Sequence, residues 1–163
     1  MFATEVTVRK IIFLLLFALI SFPAAGSDMK VGLARIEITP PVGYVMGGYS
    51  ARKGGSTGVQ DPLYATALVI RSGAESLAIV SLDLRSFPSE RVRDQVRSRL
   101  GIKHVMLCST HTHSGPLTWE DKSWPDSANP WFSATEDAVV ALIGEARRRE
   151  FCARLRSGRG RVY

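Results

Sequence analysis

Between Leu77 and Leu84 the chain reads Leu-Ala-Ile-Val-Ser-Leu-Asp-Leu, almost entirely aliphatic. A run this short and this apolar predicts a central strand covered on both faces. The next 25 residues narrow the architecture further. Val92, Val96 and Leu100 recur at i, i+4 and i+8, the apolar stripe of a helix. Pro88 suits the first helical position with Phe87 before it, and Gly101 suits the stop. Lys103 to Ser109 then returns as another strand, with Val105 to Cys108 as its buried apolar run. Strand, helix and strand in that order specify an α/β layered domain.

The rest of the chain fits this plan. Val31 to Ile38 is a first strand, ended by Pro40-Pro41. A glycine-rich loop from Gly43 to Tyr49 comes after it, then an exposed polar loop from Ser50 to Asp61. Ala65 to Arg71 is a second strand, and Ser72-Gly73-Ala74-Glu75 has the composition of a hairpin turn into the strand at Leu77. The hairpin makes the sheet mixed and only partly parallel. Leu117 to Pro130 reads as an irregular loop, with Trp119, Trp124 and Trp131 in or beside it. A long helix opens at Pro130 or Ser133, reaches about Arg149, and buries Val139, Leu142, Ile143 and Ala146. Arg154 to Val162 alternates enough to begin another strand. A domain that stops on an incipient edge strand is expected to be truncated. The expected fold is therefore a mixed, partly parallel β-sheet flanked by helices, cut short.

The first residues stand apart. Arg9 and Lys10 precede an apolar run from Ile11 to Phe22, and Pro23-Ala24-Ala25-Gly26 comes next. This is the three-part pattern of a secretory signal, and its apolar core is short for a membrane span. Cleavage is expected near Gly26–Ser27, leaving residues 27–163 as one exported domain, extracellular or periplasmic. A chain of 163 residues, 45% hydrophobic, is long enough for one ordinary core. Cys108 is expected to be a buried small hydrophobe, and Cys152 to follow the last helix. An exported pair is able to oxidise, but neither cysteine has the surroundings of a nucleophile. The net charge of +6 is concentrated late, in Arg147-Arg148-Arg149 and Arg154, Arg156, Arg159 and Arg161. Arginines suit a solvated helix C-terminus. With no interleaved aromatics and no helix-turn-helix pattern, no nucleic-acid partner is expected.

The chemistry gathers in Thr110-His111-Thr112-His113-Ser114-Gly115-Pro116, which holds two of the three histidines. In extended chain, i and i+2 side chains point the same way, so His111 and His113 are able to converge on one cation or one substrate. Neutral imidazole is a common zinc ligand, and a zinc-bound water becomes a nucleophile near neutral pH. Hydroxyls on Ser109, Thr110, Thr112 and Ser114 are placed to orient the rings. The blander alternative is a polar surface turn. His104 begins the same strand, about 20 Å away along an extended chain, and is read as a strand-edge residue. Asp83 ends the apolar strand, either as a partner to a histidine at the sheet's carboxyl edge or as a capping acid. Asp61, before Pro62, is read as a turn residue. The Met46-Gly47-Gly48-Tyr49 loop permits close backbone approach to a ligand. It is not a phosphate loop, because no Gly-Lys-Ser/Thr comes after it.

Several of these strings together resemble the neutral/alkaline non-lysosomal ceramidase family. They are Val31-Gly32-Leu33-Ala34-Arg35-Ile36-Glu37-Ile38-Thr39, Met46-Gly47-Gly48-Tyr49, Asp61-Pro62-Leu63-Tyr64-Ala65, Ser81-Leu82-Asp83-Leu84 and, most specific, Thr110 to Pro116. The resemblance runs from Val31 to Arg161 and is to the N-terminal catalytic domain. It implies a secreted or surface zinc hydrolase that cleaves the amide of N-acylsphingosines. Its partner is then a ceramide-like lipid, met at a membrane surface. It implies that His111 is a zinc ligand. It implies that His113 faces the substrate, stabilising the oxyanion or protonating the leaving amine, and that Gly48 lies near the reacting centre. Gln60 stands where the family often has His. The family's other ligands, a His, a Glu and a Tyr, and an active-site arginine lie downstream of these residues, as does a C-terminal β-sandwich. The chain is thus expected to be the first part of a catalytic domain, with the C-terminal region of the same protein as its missing partner.

Besides a membrane-bound interaction protein in which Ile11 to Phe22 stays uncleaved, two other readings compete. One is a different His-x-His metal hydrolase. Gly115-Pro116 stand where a metallo-β-lactamase type needs Asp-His, and a barrel amidohydrolase carries its pair on the first strand rather than the fourth. The other is a non-catalytic exported domain that uses the histidine turn and tryptophan loop to bind a ligand.

Overall fold

The computed structural model describes residues 29–118 and 130–161. The expected signal segment, Trp119, Trp124 and the end of the last expected strand lie outside the described residues. The elements are β1 (Lys30–Glu37), β2 (Tyr64–Ser72), β3 (Glu75–Leu82), α1 (Glu90–Leu100), β4 (His104–Ser109), α2 (Pro130–Arg148) and β5 (Phe151–Cys152). They form one five-stranded sheet in the order β4-β3-β2-β1-β5. β3 and β4 run parallel, joined through α1, and the other pairs are antiparallel. This is the mixed, partly parallel α/β sheet expected from the hairpin and the strand-helix-strand run.

One face of the sheet is the core. Ala34, Ala65, Ala67, Val69, Ala78, Val80 and Leu82 point into it and are buried. Val92 and Val96 of α1 and Val139, Leu142, Ile143 and Ala146 of α2 meet them, the stripes expected from periodicity. The small residues matter here. Alanines under α2, and Gly32 in β1, let the helix settle against the strands. A methyl on Gly32 would stand 1.8 Å from the Ala146 carbonyl oxygen.

The other face differs from expectation. Leu33, Leu68, Ile79 and Met106 form one cross-strand row, with Val31, Ile70 and Leu77 in the next. Leu33, Met106 and Phe151 are about half exposed, at 50%, 51% and 53%. Both described helices lie on the opposite face. β3 is therefore central by hydrogen bonding, and the described helices cover one side of it only. Its all-apolar sequence does not distinguish the two cases.

Three local corrections have clear causes. The helix cap is Ser89 rather than a start at Pro88: Ser89 is extended (φ −124°, ψ 103°) and its Oγ accepts the Val92 N–H. A hydroxyl satisfies a free first-turn donor, which a proline one residue earlier cannot do. Gly101 does end the helix, in the left-handed conformation at φ 62°. Cys108 is exposed rather than buried, because β4 is an edge strand whose burial alternates. Cys152 sits in β5 at the opposite edge, four strand spacings or about 19 Å away, far beyond disulfide reach. The final strand comes early and is short. Phe151 and Cys152 pair with Val31 and Lys30, and residues 153–161 form no regular element. Arginines at 154, 156, 159 and 161, broken by Gly158 and Gly160, have no apolar face to bury. Among the described residues, no helix is long and apolar enough to cross a membrane.

Ser89 also links the two helices. Its Oγ donates to Glu136 Oε1 at 2.5 Å, and Arg91 reaches Glu136 Oε2 at 3.0 Å. Both Ser89 and Glu136 are buried. Ser89→Ala removes the cap and leaves one carboxylate oxygen short of a donor. A loss of about 2–3 kcal/mol is expected, read as a lower urea midpoint with an unchanged slope.

Candidate functional site

Because β3 and β4 are parallel, their carboxyl ends lie side by side. Sites of open α/β sheets gather at this edge. The ladder carries on past the strands: Thr110 N donates to Leu82 O at 2.9 Å, and His111 N to Leu84 O at 3.0 Å. At His111 the chain turns sharply, with φ at 63°. A non-glycine residue in this region is strained, and such strain concentrates at functional sites.

The His111 ring is fixed. Its Nδ1 lies 2.9 Å from the Arg85 carbonyl oxygen. A carbonyl only accepts, so Nδ1 carries the proton and Nε2 keeps its lone pair in the neutral ring. The side chain is exposed. This is how metal-binding histidines are commonly held, with the second ring nitrogen bonded to a carbonyl. The expected hydroxyls do not do this work. Thr112 Oγ1 instead accepts the Ser114 N–H at 3.1 Å and folds the loop itself.

His113 is half-buried, its ring centroid 5.1 Å from that of His111; the chain between them is not the extended one expected, since His111 is left-handed. Tyr49 meets the His113 ring edge-on at 5.2 Å and 81°. The glycine loop packs against the histidine loop through a short antiparallel bridge. Gly47 N donates to Gly115 O at 3.0 Å, and Leu117 N to Val45 O at 2.9 Å. Gly48, at φ 108°, lies directly under His113: a methyl there would stand 2.6 Å from the His113 Cβ. Arg52 Nη1 donates to both Gly47 O and His113 O. Neither Tyr49 as a ring partner nor Arg52 was visible as a site residue. The only sequence hint is their i, i+3 spacing in a polar loop.

Other candidates fall elsewhere. Asp83 does not orient a histidine. Its Oδ2 accepts the Tyr64 N–H at 3.1 Å, which extends the β2–β3 ladder, so the capping alternative holds. His104 is at the far end of β4, its Nε2 3.5 Å from Glu75 Oε2. Lys103 beside it holds the Glu75 carboxyl below the usual range, with His104 adding to the effect. Asp61 and Gln60 are exposed and line a cleft of about 490 Å³ with Arg52, Leu63, Thr112 and Ser114. Among the described residues, no three His, Cys, Asp or Glu side chains gather closely enough to hold a metal ion. His111 offers one ligand position of the several that a zinc ion takes.

A mixed sheet with helices on one face and a histidine loop at its carboxyl edge defines an α/β layered domain with a candidate site at its strand ends. The solved neutral ceramidase of Pseudomonas aeruginosa superposes with a TM-score of 0.64 at 29% identity, over 77% of this chain and 22% of that one. A second solved structure, described as ceramidase complexed with C2, gives 0.62 at 29% identity over the same shares. The chain belongs to the neutral/alkaline non-lysosomal ceramidase family, whose N-terminal model matches residues 29–162. It is 30% identical over 169 aligned positions to the neutral ceramidase of Pseudomonas aeruginosa, across 88% of this chain. It spans 24% of that relative's length.

Proposed function

We propose that this chain contributes the first part of a zinc-dependent amide hydrolase acting on N-acylsphingosine lipids at a membrane surface. In this reading His111 is a metal ligand, and His113 acts on the substrate. The observation that carries it is the His111 ring, locked through Nδ1 to the Arg85 carbonyl with Nε2 left open. A bound zinc ion supplies a Lewis acid and a water of lowered pKa. His111 holds one coordination position without needing to reorient. His113, one residue removed on the same loop, faces the carbonyl or the leaving amine. There it donates a hydrogen bond to the developing oxyanion or a proton to the departing nitrogen. The Gly47–Gly48 backbone packs against the histidine loop and seats His113. Further ligands belong to residues beyond this chain. The segment before Ser27 supports export, to the periplasm or the extracellular space.

Zinc titration of the 163-residue chain beside His111→Ala tests the ligand role. The variant is expected to bind at least about tenfold more weakly, and equal affinities would sink the assignment. Hydrolysis of N-acylsphingosine in mixed micelles by the longer protein that carries the further ligands, lost on chelation and in His113→Ala, tests the rest. Turnover that survives chelation removes the metal from the proposal.

A further inference from the structure

His111 and His113 are held by different means. The His111 ring has a hydrogen bond to a backbone carbonyl. Among the described residues the His113 imidazole has none, and its contacts are the rings of Tyr49 and His111. Its direction therefore depends on its own backbone and on Tyr49. One side chain reaches both.

Arg52 lies in the polar loop after the glycine run, yet its side chain is half-buried. Nη1 donates to the Gly47 carbonyl at 2.9 Å and to the His113 carbonyl at 3.1 Å. The two acceptors belong to the two loops that meet at the site. The guanidinium carbon also stands 5.2 Å from the centre of the Tyr49 ring. That ring is the one packed edge-on against His113. Arg52 N donates to Tyr49 O at 3.1 Å, closing the turn that folds the guanidinium back over the loop. Bonds from a charged donor to carbonyls are stronger than neutral ones, and a guanidinium spans two acceptors and an aromatic face as an ammonium does not.

We infer that Arg52 is the positioning residue for His113, clamping the glycine loop to the histidine loop and fixing Tyr49 against the imidazole. It touches no reacting atom and acts through His113. Its kinetic consequence rests on the function proposed above, but its structural consequence does not.

Histidine ring signals in ¹H–¹³C NMR spectra of the full chain give the structural test. The Tyr49 ring current displaces the His113 signals from their free positions. In Arg52→Met, which keeps the aliphatic stem, the His113 signals are expected to move toward those positions. His104, at the far end of β4, is expected to stay in place, and His111, 5.1 Å from the His113 ring, to follow it by less. Arg52→Lys, with charge but no fork, is expected to move His113 by less. Unmoved His113 signals in Arg52→Met overturn the inference. If that variant unfolds and all three histidines move, Arg52→Lys decides: a displacement of His113 that leaves His104 in place supports it, and no displacement of His113 overturns it. In the hydrolysis assay, Arg52→Met is expected to lower kcat about ten- to a hundredfold with KM little changed, partly restored in Arg52→Lys. A raised KM at constant kcat contradicts a positioning role. Absence of hydrolysis in the longer protein that carries the further ligands counts against the proposed function alone, and the ring signals still judge Arg52.

Discussion

Gly32→Ala is expected to destabilise the fold by about 3 kcal/mol, the largest stability effect of any single methyl in the sheet. Gly32 lies in β1 opposite Val69, on the face that carries α2. The new Cβ would sit 1.8 Å from the Ala146 oxygen and 2.7 Å from its carbonyl carbon. Both are backbone atoms, so no rotamer change relieves the contact. The helix has to lift, and Val139, Leu142, Ile143 and Ala146 are the side chains that seat it. A shift in close-packed surroundings loses dispersion contacts along the whole interface. Urea denaturation followed by circular dichroism measures this. A change below about 0.5 kcal/mol, the range of ordinary surface substitutions, would show that α2 does not rest on Gly32.

Gly48→Ala is expected to be as damaging at the site as Gly32→Ala is in the core. Two costs add. At φ 108° an alanine is strained whatever the space around it. Its methyl would also stand 2.6, 2.7 and 2.9 Å from the Cβ, Cγ and Cα of His113. The strain costs about 1–3 kcal/mol. The clash pushes His113 away from its seat against Tyr49. Hydrolysis of N-acylsphingosine is expected to fall about a hundredfold, the scale of a 1 Å misplacement. Full activity in a folded Gly48→Ala chain would mean that His113 does not need this seat.

Most of the sheet was legible because apolar periodicity reports which residues meet a core. β1, β2, β3 and the stripes of both helices come from that pattern, and the Gly101 stop from glycine's access to the left-handed conformation. Periodicity does not say whether a second layer exists, so the open face behind Leu33, Ile79 and Met106 was hidden. It also overstated β4, where Cys108 lies on the face that no described helix covers. At the site, the spacing singled out the two histidines, but not the left-handed bend at His111 that replaces the extended chain assumed there. Asp83 was not resolved, since a carboxylate there suits either a histidine or the Tyr64 N–H, and only geometry chooses. Arg52 was invisible for a different reason. It meets His113 across 61 residues of chain, and no local pattern encodes a contact between two loops.

The bend at His111 shifts strain from binding to folding. A β-carbon in the left-handed region carries about 1–2 kcal/mol that a glycine would not. The bonds to Leu84 O and Arg85 O hold the residue there, so the strain is overcome when the chain folds, before anything binds. A ligand arriving at Nε2 finds the imidazole already aimed, and loses no affinity to turning the chain or freezing the ring. The protein gives up a little resistance to unfolding at one residue and gains a standing, pre-set donor in return.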